Sequence, residues 1–160
     1  FMIFNILFHS KVIDIDLKNL NVLDLYAGSG SFGIECLSRN ASKVVFVEKD
    51  SDAILNLEKN IRNINLFKNS KIVSKDVLEF FNKFILGDYI KFNVIFFDPP
   101  YQDISFVNSF KIIKKNHFLC KNHIIIIHRE SKSDDDLQKY IKIIENRTYG
   151  RSEIFFGKIF

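Results

Sequence analysis

NVLDLYAGSG, residues 21–30, runs from an apolar segment straight into a turn with two glycines, and SFGIECLS follows at residues 31–38. Asn21 to Leu25 reads as a buried strand and Phe32 to Ser38 as a short helix. Glycines in such a turn let backbone N–H groups come close to a ligand, and a helix start favours an anionic group. In open α/β sheets ligands bind beyond the carboxyl ends of the strands, so the turn stands where a cofactor would. Gly28, Gly30 and Gly33 also satisfy the dinucleotide pattern GxGxxG. The glycines alone therefore leave three readings open: a bare tight turn, a nicotinamide site, or a site for another nucleoside.

Outward from this turn the chain alternates apolar runs with amphipathic ones. Lys43 to Val47 is a second strand, closed by Glu48, and Ser51 to Leu66 carries Ala53, Leu57, Ile61 and Ile64 on one helical face. Lys71 to Ser74 is a third strand and Val77 to Leu86 a third helix. Asn93 to Phe97 runs into Asp98-Pro99-Pro100-Tyr101, where the prolines end the strand. Ile104 to Asn116, with Phe106, Phe110 and Ile113, predicts another helix, and His123 to His128 a fifth strand. Tyr140 to Tyr149 and Ser152 to Phe160 flank Gly150-Arg151 as a strand pair. The pattern predicts an α/β, Rossmann-like fold: a seven-stranded, mostly parallel sheet with an antiparallel C-terminal hairpin strand and helices on both faces.

At 160 residues the chain has the size of one domain, and 47% hydrophobic with 26% charged residues excludes a disordered tail. The net charge of +4 permits a nucleic-acid partner without demanding one. Cys36 and Cys120 form no CxxC, so neither a disulfide framework nor a metal site is expected. The Ile124–Ile127 run is too short for a bilayer and no leader opens the chain, so the expected compartment is the cytoplasm. Asp134 to Asp136 reads as a solvated helix start. His9, His117, His123 and His128 read as ordinary surface or strand-end residues, and Cys36 as packed core. Lys111, Lys114, Lys115, Lys121, Arg129, Lys132, Arg147 and Arg151 read as a solvated basic face, with Arg151 in the hairpin turn the expected RNA contact.

The carboxylates narrow the choice of ligand. Asp24 can accept from an amino group or order the glycine turn, and Glu48 is placed for both ribose hydroxyls. Asp76 can accept an adenine amine, with Val77 against the ring. Acids at successive strand ends suit one nucleoside with an aminoacyl tail and repel a pyrophosphate; S-adenosylmethionine fits. Asp98-Pro99-Pro100-Tyr101 supplies the other half of a reaction. The Asp98 carboxylate and Pro99 carbonyl can grip the hydrogens of an exocyclic NH₂ while Tyr101 stacks on a flat base. Such a nitrogen is a poor nucleophile, and the chemistry that needs this grip is methyl transfer to it.

With those residues in view, the sequence resembles class I S-adenosylmethionine-dependent methyltransferases acting on exocyclic amines. More narrowly it is similar to the RsmD family of 16S rRNA guanine-N2 methyltransferases. Phe4-Asn5-Ile6-Leu7, residues 22–50, Phe97 to Tyr101 and Asn146 to Phe156 carry the likeness. The resemblance implies that Asp24, Tyr26, Ala27, Gly28, Ser29 and Gly30 hold the methionine part of the cofactor. It implies Glu48 on the ribose with Lys49 beside it, Asp76 and Val77 on the adenine, and Asp98, Pro99, Pro100 and Tyr101 on the target guanine, with no metal. The implied partner is 16S rRNA in the assembling small ribosomal subunit, met by a monomer. The family carries a basic, glycine-rich N-terminal segment, whereas this sequence opens inside the family's first helix; residues 1–160 are expected to be one methyltransferase domain without that RNA-binding piece. Two other readings stand beside this one. An adenine-N6 methyltransferase shares the tetrapeptide but needs a separate target-recognition region. A catalytically inactive RNA-binding remnant would keep the fold without the chemistry.

Overall fold

Successive side chains along a strand point to opposite faces of a sheet, and here both faces are apolar. On β1 (Asn21–Leu25) Val22 enters one layer and Leu23 and Leu25 the other; on β2 (Lys43–Glu48) Val44 and Phe46 oppose Val45 and Val47. The same sorting continues on β4 (Phe92–Phe97) and β5 (Leu119–Glu130), while β3 (Ser70–Ser74) closes one edge. Helices α1 (Met2–His9), α2 (Ser31–Ser38) and α3 (Ser51–Asn63) cover the first layer through Phe4, Phe32, Cys36, Leu57 and Ile61. The second is covered by α4 (Val77–Lys83) and α5 (Asn108–Lys115) through Phe80, Phe81, Phe110 and Ile113. Each such side chain contributes ~1.5–3 kcal/mol by leaving water. The computed structural model describes residues 2–83 and 90–159.

Sheet order is β3-β2-β1-β4-β5-β7-β6, with β6 (Lys142–Tyr149) and β7 (Ser152–Lys158) forming the hairpin. Strands β1 to β5 are parallel; β7 runs antiparallel to both β5 and β6. This is the Rossmann-like arrangement that the apolar pattern predicts. From β1 the chain first winds outward to β2 and β3, then returns to the other side of β1 as β4. Those diverging connections open a crevice above the carboxyl ends of β1 and β4.

Element boundaries differ in instructive ways. Helix α3 stops at Asn63, short of the expected Leu66, because Asn65 turns left-handed at φ 55°. Asp103 captures the Ser105 N–H and hydroxyl, so the segment expected as one helix from Ile104 begins as a 3₁₀ turn at Ser105–Val107 before α5. β5 extends to Glu130, since its antiparallel pairing with β7 outlasts its parallel pairing with β4. The end of the third predicted helix, residues 84–86, lies outside the described residues. Among the described residues, no helix is long and apolar enough to cross a membrane and no His/Cys/Asp/Glu cluster could hold a metal ion.

Gly33 is demanded by packing rather than by a ligand. A Cβ there would stand 2.4 Å from Phe46 Cε1 and 2.8 Å from Val44 Cγ1, both core side chains under α2. Gly33→Ala is therefore expected to overpack the α2–β2 contact, destabilising the fold by ~1–3 kcal/mol. Thermal unfolding should show a fall of roughly 3–10 °C.

Candidate functional site

A cavity of about 390 Å³ opens above the β1–β4 crevice. Its wall joins the two sequence segments that carry chemistry. Tyr26, Glu48, Lys49, Asp76 and Val77 line it from one side of the sheet, and Asp98, Pro99, Pro100 and Tyr101 complete it. Asp24, Ala27, Gly28, Ser29 and Gly30 do not line it; Asp24 lies within β1, and the other four form the turn beside the cavity.

The turn is held by carboxylates from below and beside. Gly33 N–H donates to Asp24 Oδ2 at 3.0 Å, and Asp24 is 1% exposed beneath α2. Glu48 Oε2 accepts from Gly28 N–H at 2.8 Å, while Oε1 accepts from the N–H groups of Lys49 and Asp50 at 2.9 Å each. A carboxylate has about four acceptor directions, so Glu48 retains capacity toward the cavity. Gly28 and Gly30 adopt φ of 56° and 84°, and beside Gly28 a Cβ would meet only open space. Tyr26 is left-handed too, at φ 57°, a conformation costly for a residue with a Cβ. Its hydroxyl donates to Asp103 Oδ2 at 3.3 Å, joining the glycine turn to the loop after the diproline corner. Burial and Asp103 together push the Tyr26 phenol well above its usual value.

Asp24 is expected to leave a signature in stability. Burial raises its carboxyl well above the ordinary range, with the Gly33 N–H opposing and the Asp98 and Glu48 charges adding. The folded state thus keeps a proton that the unfolded chain releases at lower pH. This group's contribution is complete in acid, below its unfolded value, and declines as pH rises through that value toward the folded one. Asp24→Asn, neutral throughout, should remove the decline: thermal unfolding should place the variant further above the unsubstituted protein at pH 8 than at pH 5.

The far wall is acidic and its cations are paired. Lys49 Nζ lies 3.7 Å from Asp76, and Lys75 Nζ 3.6 Å from Glu79. Asp76 Oδ1 also accepts the Leu78 N–H at 3.0 Å, and Val77 is buried at the start of α4. These acceptors suit the hydroxyls and amine of a nucleoside or a cationic tail better than a pyrophosphate, whose charge the carboxylates oppose.

Arg129 corrects the basic-face reading. It is 1% exposed, because alternation on β5 puts it on the same face as Ile125 and Ile127, inside the second layer. There Asp135 neutralises it at 2.5 Å, and its guanidinium lies 4.7 Å from the centre of the Phe106 ring. Its remaining donors reach the carbonyls of Pro100 at 3.1 Å and Tyr101 at 3.0 Å. The Pro99 carbonyl is not among its partners. Asp135 likewise departs from a solvated helix start: its side chain is 5% exposed as the counter-ion, and the 3₁₀ turn Leu137–Lys139 begins after Asp136 without a side-chain cap.

His128 corrects a second expectation. Far from being an ordinary strand end, it lines the cavity, with Nδ1 2.8 Å from Asp98 Oδ1 and its ring edge-on to Tyr101 at 6.4 Å. The signal was present: β4 and β5 pair Phe97 with Ile127, so the residues that follow are side by side. Cys36 is fully buried, as expected of core. Arg151 is exposed in the hairpin turn at the carboxyl end of β5, its carbonyl accepting the Ser131 N–H, and it does not line the cavity.

Comparison with known proteins adds to this geometry. Residues 2–158 match the family model described as conserved hypothetical protein 95. Over 72% of its length the chain is 33% identical to the ribosomal RNA small subunit methyltransferase D of Buchnera aphidicola, covering 59% of that protein. An uncharacterised methylase of Rickettsia prowazekii is 32% identical, over 95% of this chain and 82% of its own. The chain thus spans little more than half of the first of these relatives. A conserved hypothetical protein of Streptococcus pyogenes shares the fold at TM-score 0.77 and 22% identity, covering 88% of this chain and 86% of that one.

Proposed function

The chain belongs to the conserved hypothetical protein 95 family, the RsmD family, and from that premise we propose that it methylates the exocyclic 2-amino group of a guanine in small-subunit (16S) rRNA, with S-adenosylmethionine as donor. The observation that carries the reading is that one cavity is bounded both by the Glu48–Asp76 acids and by the Asp98–Pro99 corner. A nucleoside held by the first would set its reacting end toward the second.

Bound S-adenosylmethionine supplies an electrophilic methyl group on a sulfonium centre. Glu48 and Lys49 would hold its ribose, Asp76 and Val77 its adenine, and the turn from Asp24 and Tyr26 through Ala27, Gly28, Ser29 and Gly30 its methionine part. Asp98 and the Pro99 carbonyl then accept the two hydrogens of the guanine amine, drawing its lone pair out of the ring and aiming it. Arg129 supports this aim by engaging the Pro100 and Tyr101 carbonyls, leaving that of Pro99 for the amine. Tyr101, 49% exposed, offers a face on which the base stacks. A guanine paired in a helix must first be turned outward to reach this corner. Arg151, at the same end of the sheet, is placed to meet phosphate.

The test is transfer of labelled methyl to unmethylated 30S particles, naked 16S rRNA or DNA, followed by digestion to nucleosides. Label in N2-methylguanosine supports the reading. Label in N6-methyladenosine would replace guanine with adenine as the target, and no label despite cofactor binding would favour an RNA-binding remnant.

A further inference from the structure

The His128–Asp98 contact asks for an explanation that the corner alone does not provide. A carboxylate offers only lone pairs, so the imidazole nitrogen 2.8 Å from Asp98 Oδ1 must carry the hydrogen. Neutral histidine in water prefers its hydrogen on the other nitrogen, so the contact selects a tautomer. The parallel register of β4 and β5 brings the two residues together, and packing limits His128 to 24% side-chain exposure against 44% for Asp98. Asp98 by itself stands on a strand end with freedom to rotate. With Oδ1 held by His128, Oδ2 is the carboxylate oxygen left with both its lone pairs for a substrate amine, beside the Pro99 carbonyl.

We propose that His128 is a positioning residue for methyl transfer, its Nδ1–H fixing the Asp98 carboxylate so that Oδ2 receives the amine proton. This rests on the methyltransferase reading above. In the step, an N–C bond forms to the methyl carbon and the C–S bond breaks with its electron pair left on sulfur. The nitrogen then sheds one proton to Asp98, which releases it to water. Neutral His128 supports this sequence. Imidazolium would keep the hydrogen bond but set a full positive charge beside the nitrogen on which positive charge develops. Other titratable groups sharing the cavity are Tyr26, Glu48, Lys49, Lys75, Asp76 and Tyr101, and on the β7 side the residue opposite His128 is the uncharged Ile154.

Two substitutions and one spectrum test the proposal. His128→Ala should lower kcat roughly 10–100-fold, the range expected for a misaligned reacting group, with the Kd for S-adenosylhomocysteine changed less than about twofold. His128→Asn keeps an N–H donor in the place of Nδ1 and should recover most of the lost kcat. An alanine variant as active as the unsubstituted protein, or an asparagine variant no better than alanine, would overturn it. Nitrogen-15 NMR of the unsubstituted protein gives a reading that needs no activity. The neutral His128 ring should show the hydrogen on Nδ1, and Asp98→Ala should release it to Nε2. A ring already carrying it on Nε2 overturns the proposal even if methyl transfer is observed. Absence of transfer with the Nδ1 tautomer present would count against the methyltransferase reading instead.

Discussion

Asp98→Ala is expected to lower kcat for methyl transfer by about 10²–10³, the loss typical of removing one preorganised hydrogen-bonding partner from a reacting group. Binding of S-adenosylhomocysteine should change less than about threefold, because the ribose and adenine contacts assigned to Glu48, Asp76 and Val77 are untouched. Folding should also survive. The Asp98 side chain is 44% exposed, and the strand end is held by its backbone N–H donating to the Leu25 carbonyl at 3.4 Å. A surface truncation of this kind changes stability by roughly 0.5 kcal/mol. Asp98→Asn should fall between: it keeps one acceptor oxygen but sets an NH₂ donor in the place of the second and cannot take up the amine proton. Steady-state kinetics beside calorimetric titration separates the two effects. A parallel loss of kcat and cofactor affinity would mean that Asp98 holds the cofactor instead.

The largest effect on stability is expected from Arg129→Ala. It strands the Asp135 carboxylate, 5% exposed, without its counter-ion and takes one donor from each of the Pro100 and Tyr101 carbonyls, of which that of Pro100 keeps the Asp103 N–H. Breaking a buried pair by removing one partner costs about 3–5 kcal/mol, a large share of the ~5–15 kcal/mol that stabilises a domain. The melting temperature should drop on the order of 10 °C. Arg129→Met with Asp135→Leu removes both charges and should regain most of that loss, since apolar replacement of an ion pair is often neutral. Activity should not return with it, because the diproline corner still lacks the two hydrogen bonds that orient it. Thermal unfolding and kcat measured on both variants distinguish these outcomes. Recovery of kcat in the double variant would show that Arg129 serves stability alone.

How much of this could be read beforehand depends on the distance over which each relation acts. The strands were legible because apolar runs such as Val22–Leu25 and Ile124–Ile127 need only local alternation and burial to declare themselves. The glycine turn and the Asp98-Pro99 corner were legible because their backbone chemistry is local; the corner lines the cavity, and the turn reaches it through Tyr26. Arg129 and His128 were misread because their partners are set by register, not by neighbours in sequence. Counted with nearby lysines, Arg129 looked like part of a solvated patch; counted along β5, it continues the inward series of Ile125 and Ile127. His128 continues the opposite series, with Ile124 and Ile126, and so stands beside Asp98, which continues that of Val94 and Phe96. Asp24 belongs to the same face through Val22, which explains why its carboxylate lies under α2 and holds the Gly33 N–H.

The central claim is that the cavity above β1 and β4 takes a sulfonium nucleoside on one wall and an amine on the other. A crystal structure with S-adenosylhomocysteine tests it most directly. The ribose hydroxyls should lie within hydrogen-bonding distance of Glu48, with the adenine against Val77 and the thioether sulfur facing the Asp98–Pro99 corner. Ligand bound outside this cavity, or a thioether turned away from that corner, would contradict the account.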